Sequence, residues 1–378
     1  MKITKKINIS KSEPLSPEQR DGFIQLIAKH TGLEIRERDQ GALSGKIFSR
    51  MKALKLTSPL FYSQLLESST PDSYKEWLEL AILLTNTESY FFRDREQFSL
   101  LRNHIFPQLI NRKQNSKSIR ICSAGCSTGE EPYSIAILLK ELIPNLRQWN
   151  LTILGVDINR VALKKAELGV YSPWSFRSIA PDIKQRYFQL INGQYHIDQT
   201  IKEMIKFQTL NLVDDYFPQQ YSELRNIDLI ICRNVFIYFK AAAIAKVLKK
   251  FYHTLQPLGY LLTGHAELSN QNLSFFQTKV FSESLIYQRP GRAIINPLQV
   301  PACNESNDSS IEDTPINSDD DALKDDFETN NITMQQVALN LLRQLSPDTR
   351  IQKLGNLTAA ELILQIETEL NLINQELT

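Results

Sequence analysis

Between residues 119 and 290, short apolar runs alternate with stretches whose apolar positions recur at helical spacing. This alternation marks a mostly parallel sheet covered on both faces. The predicted strands are IRICSA (119–124), NLTILGVDI (150–158), IKFQTLNL (205–212), IDLIICRN (227–234) and GYLLTGH (259–265). Helices are predicted at EEPYSIAILLKELI (130–143), NRVALKKAELG (159–169) and AAAIAKVLKKFYHTL (241–255). The stretch FFQTKVFSESLIYQR (275–289) reads as two strands in a row, so the sheet is expected to finish with an antiparallel hairpin.

The chain before this region is helical in pattern, over about residues 15–83. SPEQRDGFIQLIAKHTG offers Ser16 as an N-cap, Pro17 at the first helical position, an apolar stripe of Phe23, Leu26 and Ile27, and Gly32 as a stop. GKIFSRMKALKL then carries Lys46, Arg50, Lys52 and Lys55, a basic helix that reads either as solvated surface or as a grip for an acidic partner. After residue 290 the composition turns to Asn, Ser and Asp, with the run SDDDALKDD, and residues 291–332 are expected to be an acidic disordered linker. Helical periodicity returns over 333–378, in TMQQVALNLLRQL and TAAELILQIETELNLINQEL, with no internal repeat. Three roles stay open for this tail: recruiting an unknown partner, dimerising, or covering the protein's own basic face.

Composition changes this picture little. At 378 residues the chain accommodates two or more domains, and 42% hydrophobic with 22% charged residues is ordinary for a globular protein. A formal charge of +1 excludes neither nucleic acid nor anionic partners locally, and no nucleic-acid partner is expected. Cys122, Cys126, Cys232 and Cys303 are too irregularly spaced for a disulfide framework or a paired zinc site, so no metal is expected and a reducing compartment is. The basic start lacks a following apolar segment, and LELAILL is too short to span a bilayer. These features point to a cytoplasmic protein without membrane insertion.

Candidate chemistry gathers at RICSAGCSTGEEPYS, residues 120–134. A strand, a turn with Gly125 and Gly129, a helix, and a second strand ending in Asp157 is the order by which doubly wound sheets hold an adenosine moiety. Dinucleotides would place a pyrophosphate at the helix N-terminus, where Glu130 and Glu131 oppose it by like charge. S-adenosylmethionine has no phosphate and carries an ammonium and a sulfonium, which suits a glycine turn rimmed by carboxylates. The alternatives are a capping box between Thr128 and Glu131, weakened by Pro132, and a solvated strand end at Asp157.

In order along the chain, TNTESYFFRDREQF, CSAGCSTGEEPYSIA, LGVDIN, NLVD, ICRNVFIYF and GHAE together resemble the chemotaxis receptor methyltransferases, the CheR family of protein-glutamate O-methyltransferases. The likeness covers about residues 15–290. It implies a small all-α N-terminal domain (1–83) and an α/β, doubly wound, Rossmann-like class I methyltransferase domain (84–290) with a small β-subdomain inserted at about 170–206. Carried over by position, Thr87, Ser89 and Arg93 match the linker that closes over the donor, and Glu131 the acid of the glycine loop. Asp157 matches the ribose-binding acid, Asn211 and Leu212 the pair flanking adenine, and Arg233 and Asn234 the pair after the fourth strand. Thr87 stands where some members have Asn, and Ser89 where many have Thr; each keeps a polar side chain.

The activity so implied is S-adenosylmethionine-dependent methylation of glutamates on the cytoplasmic helical bundle of a chemoreceptor, with S-adenosylhomocysteine as product. Glutamate is ionised at neutral pH, so no general base and no catalytic dyad are expected. Arg93 is a candidate to hold the attacking carboxylate, and Tyr238 to line the methyl channel; an interdomain ion pair and a core aromatic are their structural alternatives. Arg50, Lys52 and Lys55 are candidate contacts for the acidic receptor helix, as the corresponding helix is in the family. His265 reads as a hydrogen-bonded structural histidine, and Cys122 and Cys126 as buried small side chains. Two other functions stay open: a methyltransferase of this fold acting on another protein or a small molecule, and a non-catalytic scaffold.

Overall fold

The computed structural model describes residues 15–218 and 223–291, with short pieces between 350 and 367. It divides into two units, Met1–Ile295 and Asn296–Thr378.

The first unit begins with four helices: α1 (Pro17–Thr31), α2 (Glu37–Ala53), α3 (Pro59–Glu67) and α4 (Pro71–Leu84). α1 starts as its sequence requires, since Ser16 and Gln19 form a reciprocal capping box, and it ends at Gly32 with φ 77°, a conformation that costs glycine little. Phe23, Ile27, Leu43, Ile47, Tyr62, Leu66 and Leu80 close a separate core among the four helices.

A strap from Thr85 to Asp94 leads to α5 (Arg95–Leu100), a π-helical turn (Leu101–Ile105) and α6 (Phe106–Arg112), one nearly continuous rod. Pro107 has no N–H to give the preceding turn, and the wider turn sits just before it. The doubly wound region follows as β1 (Ser118–Ala124), α7 (Glu130–Leu142), β2 (Asn150–Asp157) and α8 (Arg160–Leu168). Next come β3 (Val170–Tyr171), α9 (Pro181–Tyr187), β4 (Phe188–Ile191), β5 (Gln194–Ile197) and α10 (Gln199–Lys202), in which β3, β5 and β4 form a small antiparallel sheet. The main sheet resumes with β6 (Ile205–Thr209), β7 (Ile227–Cys232), α11 (Ala241–Thr254), β8 (Leu255–Thr263), β9 (Gln277–Val280) and β10 (Leu285–Gln288).

The seven main strands lie in the order β6-β2-β1-β7-β8-β10-β9, parallel except for the hairpin at one edge. Every residue of the central strand β7 is buried, as a strand covered on both faces demands, and separate apolar clusters occupy the two sides of the sheet. Strands β6, β7 and β8 depart most from the sequence pattern. β6 stops at Thr209, because the Asn211 side chain accepts from Val213 N (2.9 Å) and Asp214 N (3.2 Å) and bends the chain into a turn. β7 stops at Cys232, ahead of Asn234 at φ 58°. β8 begins earlier, at Leu255, which pairs with Ile227.

In the second unit, β11 (Arg350–Ile351) pairs antiparallel with β12 (Leu357–Thr358) where the periodicity pattern suggested only helix, and Ala360, Ile363, Leu364 and Glu367 are helical. The linker expected at 291–332, apart from Gly291, and the helix expected at 333–345 lie outside the described residues. No helix among the described residues is long and apolar enough to cross a membrane.

Candidate functional site

A crevice of about 460 Å³ opens at the carboxyl ends of β1, β2 and β7, roofed by the strap and by the chain between α1 and α2. The roof is tied down by main-chain bonds: Lys240 N to Gly32 O (2.9 Å), Glu34 N to Tyr238 O (2.7 Å), and a Leu33–Phe239 bridge. The helical region thus forms one wall of the site.

The floor is the glycine turn. Gly125 stands at φ 73°, where a Cβ would collide with Val235, and its N–H and that of Cys126 reach Val156 O at 2.8 and 3.0 Å. Asp157 receives Ser127 N on one carboxylate oxygen and Asn159 N on the other, both at 2.8 Å, which fixes Ser127 in the left-handed region at φ 50°. Asp157 is therefore a structural partner of the loop rather than a solvated strand end.

Glu131 and Glu130 separate. Glu131 lines the crevice, accepting from Ser123 Oγ at 2.7 Å and facing Arg233 at 3.4 Å. Glu130 is buried elsewhere, accepting from Thr128 Oγ1 (2.6 Å) and from Ser175 Oγ of the inserted subdomain (3.0 Å). The expectation of two acids at the rim is corrected to one, because Ser175 draws the other away. The capping box is absent too: Gly129 is the N-cap of α7, and the Thr128 hydroxyl is spent on Glu130.

Among the other sequence candidates, Ser89, Arg93, Leu212, Arg233, Asn234 and Tyr238 all line the crevice with Gly125. Tyr238, 37% exposed, is not a core aromatic, and its hydroxyl accepts from Asn86 Nδ2 at 3.2 Å. Arg93 makes no ion pair among the described residues, so the salt-bridge alternative has no partner; its guanidinium lies 5.4 Å from the Tyr90 ring. Arg233 is buried, packed over Phe98 and donating to Arg93 O as well as facing Glu131. His265 pairs with Asp94 at 2.7 Å.

Three candidates are placed differently from expectation. Thr87 does not line the crevice: its side chain is exposed and its carbonyl accepts from Ser127 Oγ at 2.9 Å, while neighbouring Asn86 lines the space. Asn211 borders the crevice, but its polar atoms are already engaged. Its side-chain oxygen holds the turn, Nδ2 donates to His30 O (2.8 Å), and its N–H goes to Asp215 (2.8 Å). Arg50 is not an open surface cation. It forks onto Glu76 at 2.7 and 2.8 Å and also faces Glu79, because the buried Glu76 carboxylate on α4 needs a counter-charge. Lys52 and Lys55 are exposed. Sequence reasoning missed Arg38 and read Lys46 only as one cation of the basic helix; both reach the crevice from α2, and their spacing on that helix was the available signal.

The residues fit a phosphate-free adenosine ligand. The N-terminus of α7 is occupied by acids, and Asp157 keeps acceptor capacity on both oxygens beyond the two amides it holds. This floor, on a seven-stranded sheet with an antiparallel edge, defines a Rossmann-like S-adenosylmethionine-dependent methyltransferase.

The family described as CheR methyltransferase, SAM binding domain, matches residues 87–283. A chemotaxis protein methyltransferase of Borreliella burgdorferi is 32% identical over 289 residues, covering 75% of this chain and 98% of the relative. One from Escherichia coli is 32% identical over 248 residues, covering 64% and 82%. Among solved structures, magnesium protoporphyrin IX methyltransferase from Synechocystis, with bound SAM, aligns over 72% of this chain and 98% of its own at 12% identity and TM-score 0.28. The chain belongs to the CheR methyltransferase family.

Burial raises the carboxyl pKa of Glu131, against the opposing pull of Arg233, Ser123 and Arg93, and raises that of Asp157 against its backbone donors. A carboxyl raised on folding binds its proton more tightly in the folded state, so ionising these two opposes folding at neutral pH, a cost relieved as pH falls through the raised values. Binding an ammonium and ribose hydroxyls needs the ionised forms. The thermal shift given by S-adenosylhomocysteine is therefore expected to shrink as pH is lowered from neutrality toward the ordinary carboxylate range. Scanning fluorimetry checks this, and a shift independent of pH would remove both acids from the ligand contact.

Proposed function

We propose that this enzyme transfers a methyl group from S-adenosylmethionine to glutamate side chains on the cytoplasmic helices of a chemoreceptor, forming the glutamate methyl esters used in sensory adaptation. The observation that carries the reading is a crevice that sets Glu131 and Asp157 beside the glycine turn and brings Arg93, Arg38 and Lys46 into the same lining, together with Glu34, Asp39 and Glu88. The acids suit a cationic donor and the cations suit an anionic acceptor.

Glu131 meets the donor's ammonium, and Asp157 accepts its ribose hydroxyls. Leu212 packs the adenine, while Asn211 shapes the turn that presents Leu212. Gly125 lets the floor approach the ligand, Ser89 and Asn234 set the edges around it, and Thr87 holds the strap to Ser127 through its carbonyl. When bound, S-adenosylmethionine would supply its sulfonium methyl to the acceptor carboxylate, the O–C bond forming as the C–S bond breaks and S-adenosylhomocysteine departing as the thioether. Arg93 steers the acceptor carboxylate by a charge-assisted bond, and Tyr238 walls the approach. No proton need move, so alignment and exclusion of water carry the rate, worth roughly 7–11 kcal/mol at most.

Incubation with methyl-labelled donor and receptor cytoplasmic fragments should place label on glutamate and release it as methanol in mild base. Base-stable label would overturn the ester assignment. Lys52 and Lys55 contact the acidic receptor helix, so K52E/K55E should slow receptor methylation about three- to tenfold at low salt and converge on wild type at high salt. Donor affinity should not change; equal rates at all salt concentrations would remove this contact. Arg50 is left out of this variant because it neutralises Glu76.

A further inference from the structure

The strap over the crevice is anchored toward its ends by hydrogen bonds. Thr87 O accepts from Ser127 Oγ (2.9 Å), Phe91 N donates to Ser175 O (3.0 Å), and Phe92 N donates to Ser134 Oγ (3.0 Å). Between those anchors, Glu88 and Tyr90 are gripped from the inserted subdomain by Arg177. Its guanidinium carbon lies 3.7 Å from the centroid of the Tyr90 ring and 4.6 Å from that of Trp174. The same group donates to Glu88 Oε1 at 2.9 Å and to Trp174 O at 3.0 Å.

This combination suits arginine in particular. A planar guanidinium can stack on rings through its face while its edge donates, whereas an ammonium can satisfy the charge but not the plane. Glu88, Ser89 and Tyr90 all line the crevice, so what Arg177 holds is the part of the roof nearest the ligand space. Arg177 itself does not line it.

We propose that Arg177 is a positioning residue, which through Tyr90 and Glu88 latches the strap closed over bound donor. The proposal rests on reading the crevice as the donor site, and it is independent of which acceptor is methylated. Its energetic source is the pair of ring contacts together with one ion pair, part-shielded by the exposed Trp174.

The test is binding and dissociation of S-adenosylhomocysteine, by calorimetry and stopped flow, on the full chain. R177A should bind about five- to tenfold more weakly, chiefly by faster dissociation, with a ligand-free melting temperature close to wild type. R177K keeps the charge for Glu88 without the stack and should fall between them. In a double-mutant cycle, R177A should speed dissociation less in a Y90A background than in wild type, since only the Glu88 contact remains to be lost. Wild-type dissociation in R177A, or losses that simply add in the double variant, overturns the latch. Should R177A melt well below wild type, the dissociation rate of R177K decides, and a wild-type rate there overturns the latch. Wild-type protein that binds no S-adenosylhomocysteine overturns the latch and the donor-site reading together. Lost receptor methylation with donor binding intact in wild-type protein bears on the acceptor reading alone.

Discussion

Asp157→Ala is expected to weaken S-adenosylmethionine binding by about 10²–10⁴-fold, with a stability loss of only about 1–3 kcal/mol. The side chain has two duties at once. It terminates β2 by accepting Ser127 N and Asn159 N, and its remaining lone pairs face the crevice. Removing it leaves two amides without their acceptor, lets Ser127 relax from φ 50°, and deletes the acceptor proposed for the ribose hydroxyls. Two charge-assisted hydrogen bonds to the ligand at about 1.5–3 kcal/mol each give the range stated. Asp157→Asn discriminates further: an amide nitrogen would face an N–H donor on one side, so Asn should rescue little. Isothermal titration of both variants is the check, and affinity within threefold of wild type would take Asp157 out of donor binding.

The sequence announced this region because its signals are local. The β1 and β2 runs are apolar enough to be read as buried strands, the left-handed turn needs Gly125 and Gly129, and Asp157 falls at the end of the second strand. Long-range pairing was not legible. Arg50 looks like one more cation on a basic helix until α4, 26 residues on, brings the buried Glu76 against it. Asn211 looks like a free amide at the ligand until His30, from a helix 181 residues earlier, takes its donor. Glu130 and Glu131 are neighbours in the chain, yet a helix turns successive side chains about 100° apart, and the inserted subdomain supplies a hydroxyl to only one of them. Periodicity reports which face is buried; it does not report which partner waits there.

The same limit explains why the helical region proves part of the site rather than an appendage. Gly32, Leu33 and Glu34 follow a helix stop that reads as an ordinary terminus, but the chain that leaves it bonds to residues 238–240 and closes the crevice from above. The crevice and helix α2, which we propose faces the acceptor, are therefore joined by a few residues of backbone. Their coupling follows from that geometry: Arg38 and Lys46 on α2 line the same crevice as Glu131 and Asp157.

Arg233→Met is the second change expected to have a large effect, and it should act on stability and binding together. The Arg233 side chain is 2% exposed, faces Glu131 at 3.4 Å and donates to Arg93 O, while its Nε is buried without a hydrogen-bond partner among the described residues. Methionine fills similar volume but strands the Glu131 carboxylate, already raised by burial and held down chiefly by Arg233. Breaking one side of such a pair costs about 3–5 kcal/mol, or else Glu131, its pKa raised further without Arg233, takes up a proton and no longer attracts an ammonium. The strap also loses its hold at Arg93. Combining R233M with E131Q separates the two consequences. With the stranded charge gone, most of the lost stability should return, since replacing both partners of a buried pair is often nearly neutral. Donor affinity should stay low, because the anion proposed to select a cationic donor is absent. Chemical denaturation and donor titration of the single and double variants measure both quantities. A double variant that recovers binding along with stability would mean that Arg233 and Glu131 serve only each other.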